Sequence, residues 1–223
     1  MKFFLFVCLA TVTQLVCFTN SYAQEVQISQ IEYRRAIDAA YALSETIFPR
    51  KTTTTEREFD GSVVFEETVT IGEYLSADRI RVIETSTYKG QKSSIEMVRV
   101  GSSFFCREGK RRWKKYNEDC SPKRMSGISS DLDIEFSYIR SSEVLNGELN
   151  DVLVHRMRYA LTNEKTKKKT RWLIESRFWL AKDGKLQRKE NRTINEDSGA
   201  TKSYLLGIYE YEISDIKIEA PIP

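Results

Sequence analysis

Residues 172–180 have the sequence Trp-Leu-Ile-Glu-Ser-Arg-Phe-Trp-Leu, which is typical of a β-strand. With one serine as the exception, every second side chain is large and apolar: Trp172, Ile174, Phe178 and Leu180. Because successive side chains of a strand point to opposite faces of a sheet, this alternation predicts one apolar face that must be covered. The cover is either the protein's own core or a ligand, and the function depends on which it is.

The same period of two recurs along most of the chain. Glycine-containing turns separate the segments at nearly regular spacing, and the pattern resumes from about residue 151 to residue 211. Before residue 120, strands are predicted over residues 52–59, 62–71, 79–88, 93–100, 103–107 and 111–116. The whole pattern predicts a curved antiparallel meander of about ten strands.

Two helices are expected beside this sheet. Residues 28–48 place apolar side chains at helical spacing and end before Pro49. A second, short helix is predicted over residues 131–139, with Ser130 or Asp131 as its cap. The predicted fold class is therefore α+β, mainly antiparallel β: a curved, incomplete β-barrel wrapped around an N-terminal helix and a short mid-chain helix.

The first 23 residues predict a secretory signal peptide that is removed. Lys2 precedes the apolar stretch 3–18, and Ser21 and Ala23 are the small residues that a signal peptidase recognises. The stretch is short and interrupted compared with the span of about 20 residues that a bilayer requires. We therefore expect residues 24–223 to form a single domain that is periplasmic or secreted, and soluble after cleavage.

Cleavage of the signal would leave two cysteines, Cys106 and Cys120. In an oxidising compartment such a pair favours a disulfide. Closing a loop of about 15 residues stabilises a fold by roughly 3 kcal/mol in the chain-entropy model.

Composition and motifs argue against several function classes. The 35 basic and 32 acidic residues almost cancel, which does not indicate a nucleic-acid partner. His155 is the only histidine and favours a half-buried structural ring, so a zinc site lacks ligands. No Gly-x-Ser-x-Gly motif surrounds a serine. We therefore predict no catalytic residues, no metal and no cofactor.

One basic turn offers a surface contact. Lys165, Lys167, Lys168 and Lys169 crowd into a predicted hairpin tip. Such a tip either touches anionic lipid headgroups transiently or is simply solvated and discourages edge pairing.

The apolar strand positions are the candidate ligand site. Eleven side chains are predicted to line the concave face of the sheet: Phe65, Val69, Ile95, Met97, Leu153, Met157, Tyr159, Trp172, Ile174, Phe178 and Leu180. Two helices are little cover for so many strands. Either the sheet closes tightly on itself or an apolar cavity remains between sheet and helices.

Several blocks of the sequence resemble the LolA and LppX type of secreted lipoprotein and lipid carriers. They are the N-terminal helix with the strands at 56–65, the blocks 96–101 and 104–113, the hairpin 178–186 and the ending 209–221. The resemblance implies an unclosed β-barrel wrapped around helices, with an apolar cavity for an acyl chain.

From these features we expect a non-enzymatic carrier of a lipid or acylated ligand in the cell envelope. The alternative on the same fold is an envelope sensor or protein-interaction module with an envelope protein as partner, for which Trp113 or Trp179 would form an exposed outer patch. A third class, an enzyme, requires carboxylates brought together from distant strands.

Overall fold

The computed structural model describes residues 25–120, 134–163 and 165–222. The predicted signal peptide, residues 1–23, lies outside them. These ranges form one open antiparallel sheet of twelve strands and one helix. The helix is α1 (Gln30–Thr46), and the strands are β1 (Val26–Gln27), β2 (Lys51–Asp60), β3 (Val63–Ser76), β4 (Arg79–Tyr88), β5 (Gln91–Val100), β6 (Ser103–Glu108), β7 (Lys114–Tyr116), β8 (Ile134–Leu145), β9 (Glu148–Thr162), β10 (Lys169–Leu180), β11 (Leu186–Asn195) and β12 (Thr201–Glu210).

The strand order joins two meanders into one sheet: β1-β8-β9-β10-β11-β12-β2-β3-β4-β5-β6-β7. Hairpins connect the neighbours within β2 to β7 and within β8 to β12. The two halves meet where β12 pairs with β2, with Tyr209 opposite Thr52. The predicted mainly antiparallel sheet is confirmed, and it has two strands more than expected.

The predicted mid-chain helix is wrong. Ile134–Leu145 is a strand that pairs with β9 along its whole length, and residues 131–133 lie outside the described ranges. Ile134, Phe136 and Ile139 fit helical spacing as well as a strand, and such short runs cannot be assigned by spacing alone. Pairing with β9 decides for the strand, since it places Ile139 against Val154 in a buried cluster.

The N-terminal helix is confirmed, and a capping box fixes its start. The Ser29 Oγ accepts a hydrogen bond of 3.2 Å from the backbone N–H of Glu32, whose carboxylate accepts one of 2.9 Å from the N–H of Ser29. The Ser29 hydroxyl also donates to this carboxylate at 2.8 Å, and the two bonds that the carboxylate accepts hold the pKa of Glu32 below its ordinary value. Because four N–H groups at a helix start lack partners within the helix, this reciprocal pair defines where α1 begins.

Helix α1 packs on one face of the sheet, which we call the inner face. Tyr33, Ile37 and Ala40 form a buried core with side chains of β9, β10 and β11. The sheet residues of this core are Leu153, Phe178, Leu180 and Leu186.

The opposite face, the outer face, has cores of its own. Trp179 is only 4% exposed and packs with Val152 and Val154, so it does not form the exposed patch expected for an interaction module. Near the opposite edge of the sheet, still on the outer face, the C-terminal segment folds back. Ile218 packs there on Val98 and Phe105.

Alternate hairpin turns lie at opposite ends of the strands. The turns at 77–78, 101–102, 146–147 and 181–185 form the proximal end, and those at 61–62, 89–90, 109–113, 163–168 and 196–200 form the distal end. Helix α1 reaches the proximal end, where Leu43 lies beside Gly184.

The predicted disulfide is confirmed. Cys106 on β6 is bonded to Cys120, with the two Cα atoms 6.7 Å apart. The bond ties the segment after β7 to the edge of the sheet. Helix α1, the one helix in the described ranges, is not long and apolar enough to cross a membrane.

Candidate functional site

The strand register places most of the predicted site residues on the inner face. On β9 and β10 the direct pairs are Leu153 with Phe178, Met157 with Ile174 and Tyr159 with Trp172. Because directly paired residues share a face, these six side chains lie on the same surface as the core beneath α1.

The predicted residues of β3 and β5 are distributed differently. A row of directly paired residues crosses the sheet from β10 to β5: Phe178, Lys189, Gly207, Thr54, Thr70, Glu84 and Ile95. Because Phe178 faces inward, Ile95 does too, and so does Met97 two residues further along β5. Val69 neighbours Thr70 in sequence and therefore faces outward. Phe65 lies at a β-bulge, with its ring 6.3 Å from that of Tyr88.

The middle of the inner face is polar. Thr54, Thr70 and Glu84 lie there in one row, and the next row holds Glu56, Thr68 and Ser86. The hydroxyls of Thr68 and Ser86 are 3.0 Å apart and share a hydrogen bond. The apolar surface is therefore concentrated on β9 and β10, with a smaller part around Met97.

On β9 and β10 the apolar stripe extends beyond the helix. Leu153, Phe178 and Leu180 are buried. Tyr159, Trp172 and Ile174 lie further toward the distal end and remain half-buried. We call these three residues the distal stripe. The distal stripe is an apolar surface that continues the buried core, but it is less covered than the residues beneath α1.

Aromatic rings surround His155 between the core and the distal stripe. The imidazole stacks on Tyr138 at 5.1 Å and on Phe136 at 5.6 Å between ring centroids, and Tyr33 of α1 lies 5.7 Å away. Burial lowers the pKa of His155, because the charged ring would lose its hydration. The ring is therefore neutral at pH 7.

Three polar atoms on the inner face of β9, β10 and β11 have no hydrogen-bond partner among the described residues. They are the Nε2 of His155, the Oδ1 of Asn191 and the indole Nε1 of Trp172, each shielded from solvent. His155, Ser176 and Asn191 are direct neighbours on β9, β10 and β11. An unpaired buried polar atom costs about 1–3 kcal/mol. This polar strip can therefore accept and donate hydrogen bonds to the polar group of a ligand.

The burial of His155 predicts a pH-dependent stability. Below about pH 6.5 the unfolded chain binds a proton at this residue more readily than the folded protein does. We expect the free energy of unfolding to fall as the pH drops from about 7.5 to about 5.5, a range that isolates histidine from ordinary carboxyl groups. Urea unfolding at both pH values measures it. The His155→Phe variant, which keeps a stacked ring, should lose most of this dependence; an unchanged dependence would contradict the assignment.

A cleft of about 660 Å³ at the distal end includes Tyr159 of the distal stripe in a lining that is otherwise mostly charged. A cleft of about 760 Å³ at the proximal end lies between the turns at 146–147 and 181–185 and residues 209–213. Its lining includes Lys182, Asp183 and Glu212. The described residues contain no group of three or more His, Cys, Asp or Glu side chains placed to hold a metal ion.

Two features, the polar strip and the position of a basic run, were not predicted from the sequence. Ser176 interrupts the apolar alternation of β10, and this was the available signal for a polar strip on the inner face. Its neighbours His155 and Asn191 could not be found without the register. The basic run at 110–115 was visible in the sequence, but its place at the distal end depends on the strand order.

The chain was compared with protein-family models and with curated proteins, and neither comparison found a match.

Proposed function

We propose that this protein binds an amphiphilic lipid, an acyl chain with a small polar group, on the inner face beside α1, and that it performs no covalent chemistry. The observation that carries the proposal is the distal stripe. Tyr159, Trp172 and Ile174 extend the buried core along β9 and β10, yet they stay half-buried. An acyl chain lying along them would complete that core.

The affinity would come from apolar burial. Removing apolar surface from water contributes about 25 cal/mol per Å², or about 0.8 kcal/mol per buried methylene. The cost of ordering the ligand offsets part of this. Micromolar binding corresponds to about 8.2 kcal/mol, which about ten fully buried methylenes supply before that cost is subtracted, so the proposed ligand has a long acyl chain.

The polar strip supports an amphiphile over a plain hydrocarbon. The indole N–H of Trp172 donates, the Oδ1 of Asn191 accepts, and the Nε2 of neutral His155 is able to do either. A hydroxyl or amide next to the acyl chain can bond with His155 or Asn191 on either side of Ser176. Trp172, in contrast, lies four residues from Ser176 along β10, about 13 Å away, and needs a polar atom elsewhere on the ligand. Each satisfied atom removes an energetic cost that the empty site carries.

The proposed setting is the cell envelope or the exterior. The Cys106–Cys120 disulfide supports an oxidising compartment. The resemblance to the LolA and LppX type of carriers, together with the predicted cleaved signal peptide, supports export.

Titration with a fluorescent fatty acid or fatty amide tests the proposal. Trp172→Glu places a carboxylate in the distal stripe, so we expect it to weaken binding more than tenfold. The matched control is Ile208→Glu on the outer face, where Ile208 is 40% exposed, and it should bind like the wild type.

Lipid extraction of the natively purified protein, followed by mass spectrometry, provides the second measurement. We expect a stoichiometric amphiphile. The proposal fails if the purified protein carries none and also ignores both probes. Equal losses in the Trp172 and Ile208 variants would show that the effect comes from unfolding rather than from the site.

A further inference from the structure

The two ends of the sheet differ in charge. The described residues of the distal turns contain seven lysines and arginines against two acidic residues: Lys89, Lys110, Arg111, Arg112, Lys165, Lys167 and Lys168 against Glu196 and Asp197. The proximal turns contain two of each: Lys182 and Lys185 against Asp78 and Asp183. Because hairpin turns alternate between the ends, this asymmetry could not be seen from the net charge of the chain.

Six of the seven distal cations form two exposed groups, and Lys89 lies apart from them in the turn between β4 and β5. Lys110, Arg111 and Arg112 occupy the turn between β6 and β7, and Arg111 pairs with Glu108 at 2.6 Å. The other group, Lys165, Lys167 and Lys168, occupies the turn between β9 and β10. We call them the edge turn and the stripe turn. The stripe turn lies next to the distal stripe on β9 and β10.

The edge turn also borders a cleft that suits an anionic group. This cleft measures about 190 Å³ and lies beside the disulfide. Its cationic lining comes from Arg107, Arg111, Arg112 and Lys114. Arg107 pairs with Glu96, and the exposed Arg111 pairs with Glu108, which also lines the cleft. Arg112 and Lys114 are the other exposed cations. A lipid phosphate could lie here with charge-assisted hydrogen bonds.

We propose that the distal end docks on the surface of an anionic lipid bilayer through these two basic turns. Docking in this orientation brings the distal stripe to the membrane, where an amphiphile enters or leaves. The docking stands on the charges alone, whereas its role in ligand exchange rests on the proposed function.

The arrangement favours a flat surface over a nucleic acid. Eight strand spacings of about 4.8 Å separate the two turns, roughly 38 Å along the sheet. Glu196 and Asp197 lie between them. Two separate basic groups at one end of a sheet match a broad anionic plane, while nucleic-acid binding uses a continuous basic groove with stacking aromatic side chains.

Co-sedimentation with lipid vesicles tests the docking. The vesicles consist of phosphatidylcholine with one third phosphatidylglycerol, and neutral phosphatidylcholine vesicles are the reference. Each cation near an anionic surface contributes about 1 kcal/mol, which is about fivefold in affinity. We therefore expect Lys110→Gln with Arg112→Gln, and separately Lys165→Gln with Lys168→Gln, each to weaken binding roughly 25-fold.

The matched control removes two exposed cations from the proximal end, Arg79→Gln with Lys182→Gln, and should change binding less than twofold. Raising the salt to about 1 M, where the Debye length is about 3 Å, should release the wild type from the vesicles. The docking is overturned by a wild type that ignores anionic vesicles, by equal losses in the control, or by duplex DNA that binds as tightly at the same salt.

The same variants separate this inference from the proposed function. The four distal substitutions should leave the affinity for a soluble fluorescent fatty acid within twofold of the wild type. Trp172→Glu should lose the fatty acid and keep vesicle binding. If the wild type binds vesicles but takes up no fatty acid, the docking proposal stands and the proposed carrier function is refuted.

Discussion

Phe178→Ala is expected to lower the free energy of unfolding by about 3–5 kcal/mol. Phe178 is 6% exposed and lies between α1 and the sheet. Its ring meets that of Tyr33 edge-on, with 6.4 Å between centroids, and the Nζ of Lys189 lies 5.4 Å from its centroid. The truncation removes a ring that packs against α1 and leaves a cavity beneath the helix.

Urea unfolding followed by tryptophan fluorescence measures this loss, and Phe48→Ala is the control. Phe48 lies just beyond α1 and is 42% exposed, so its truncation should cost about 1 kcal/mol or less. Similar losses in the two variants would show that α1 is not anchored through Phe178.

The attachment of α1 also explains how the fold divides its inner face. The core under the helix needs no ligand, since Leu153, Phe178 and Leu180 are already buried. A ligand is therefore expected only on the distal stripe. Phe178 is consequently a position for testing stability, while Trp172 is a position for testing binding.

Much of the sheet could be predicted from the sequence, because glycine-containing turns mark its hairpins. The predicted strand at 79–88 coincides with β4, and that at 93–100 with all but the first two residues of β5. Gly90 and Gly101 adopt positive φ in the turns that flank β5, a conformation that glycine adopts without strain. Local turn chemistry and a period of two were sufficient for these hairpins.

Features that depend on distant partners could not be predicted in this way. The first half of β8, residues 134–139, is predicted as helix from the sequence, because the spacing of its apolar residues is ambiguous until β9 is known as its partner. Val69 was expected inside, but only the register shows that it lies opposite Thr55 on the outer face. A shift of the register by one residue moves every side chain of a strand to the opposite face. The sequence shows which residues of one strand share a face, but not which face that is.

The outer face holds an ionic cluster around Glu190. Glu190 is 4% exposed, although it faces outward. Arg188 and Arg192 both donate hydrogen bonds to its carboxylate, the latter at 3.1 Å. The guanidinium of Arg188 stacks on Trp179 at 4.9 Å and that of Arg192 on Tyr204 at 5.4 Å. The stacked rings hold both arginines in place and shield the carboxylate from water.

Glu190→Ala is therefore expected to lower the free energy of unfolding by about 3 kcal/mol, near the lower end of the range for breaking a buried pair. The lower end applies because the side chains of Arg188 and Arg192 are 32% and 48% exposed and recover some hydration. The control is Glu210→Ala, which removes an exposed pair with Lys51 at 3.7 Å and should cost about 1 kcal/mol or less. Unfolding at low and high salt separates the two cases, because salt screens exposed pairs far more than buried ones. A Glu190 loss that disappears at high salt would mean that the carboxylate is hydrated and that the cluster stabilises nothing.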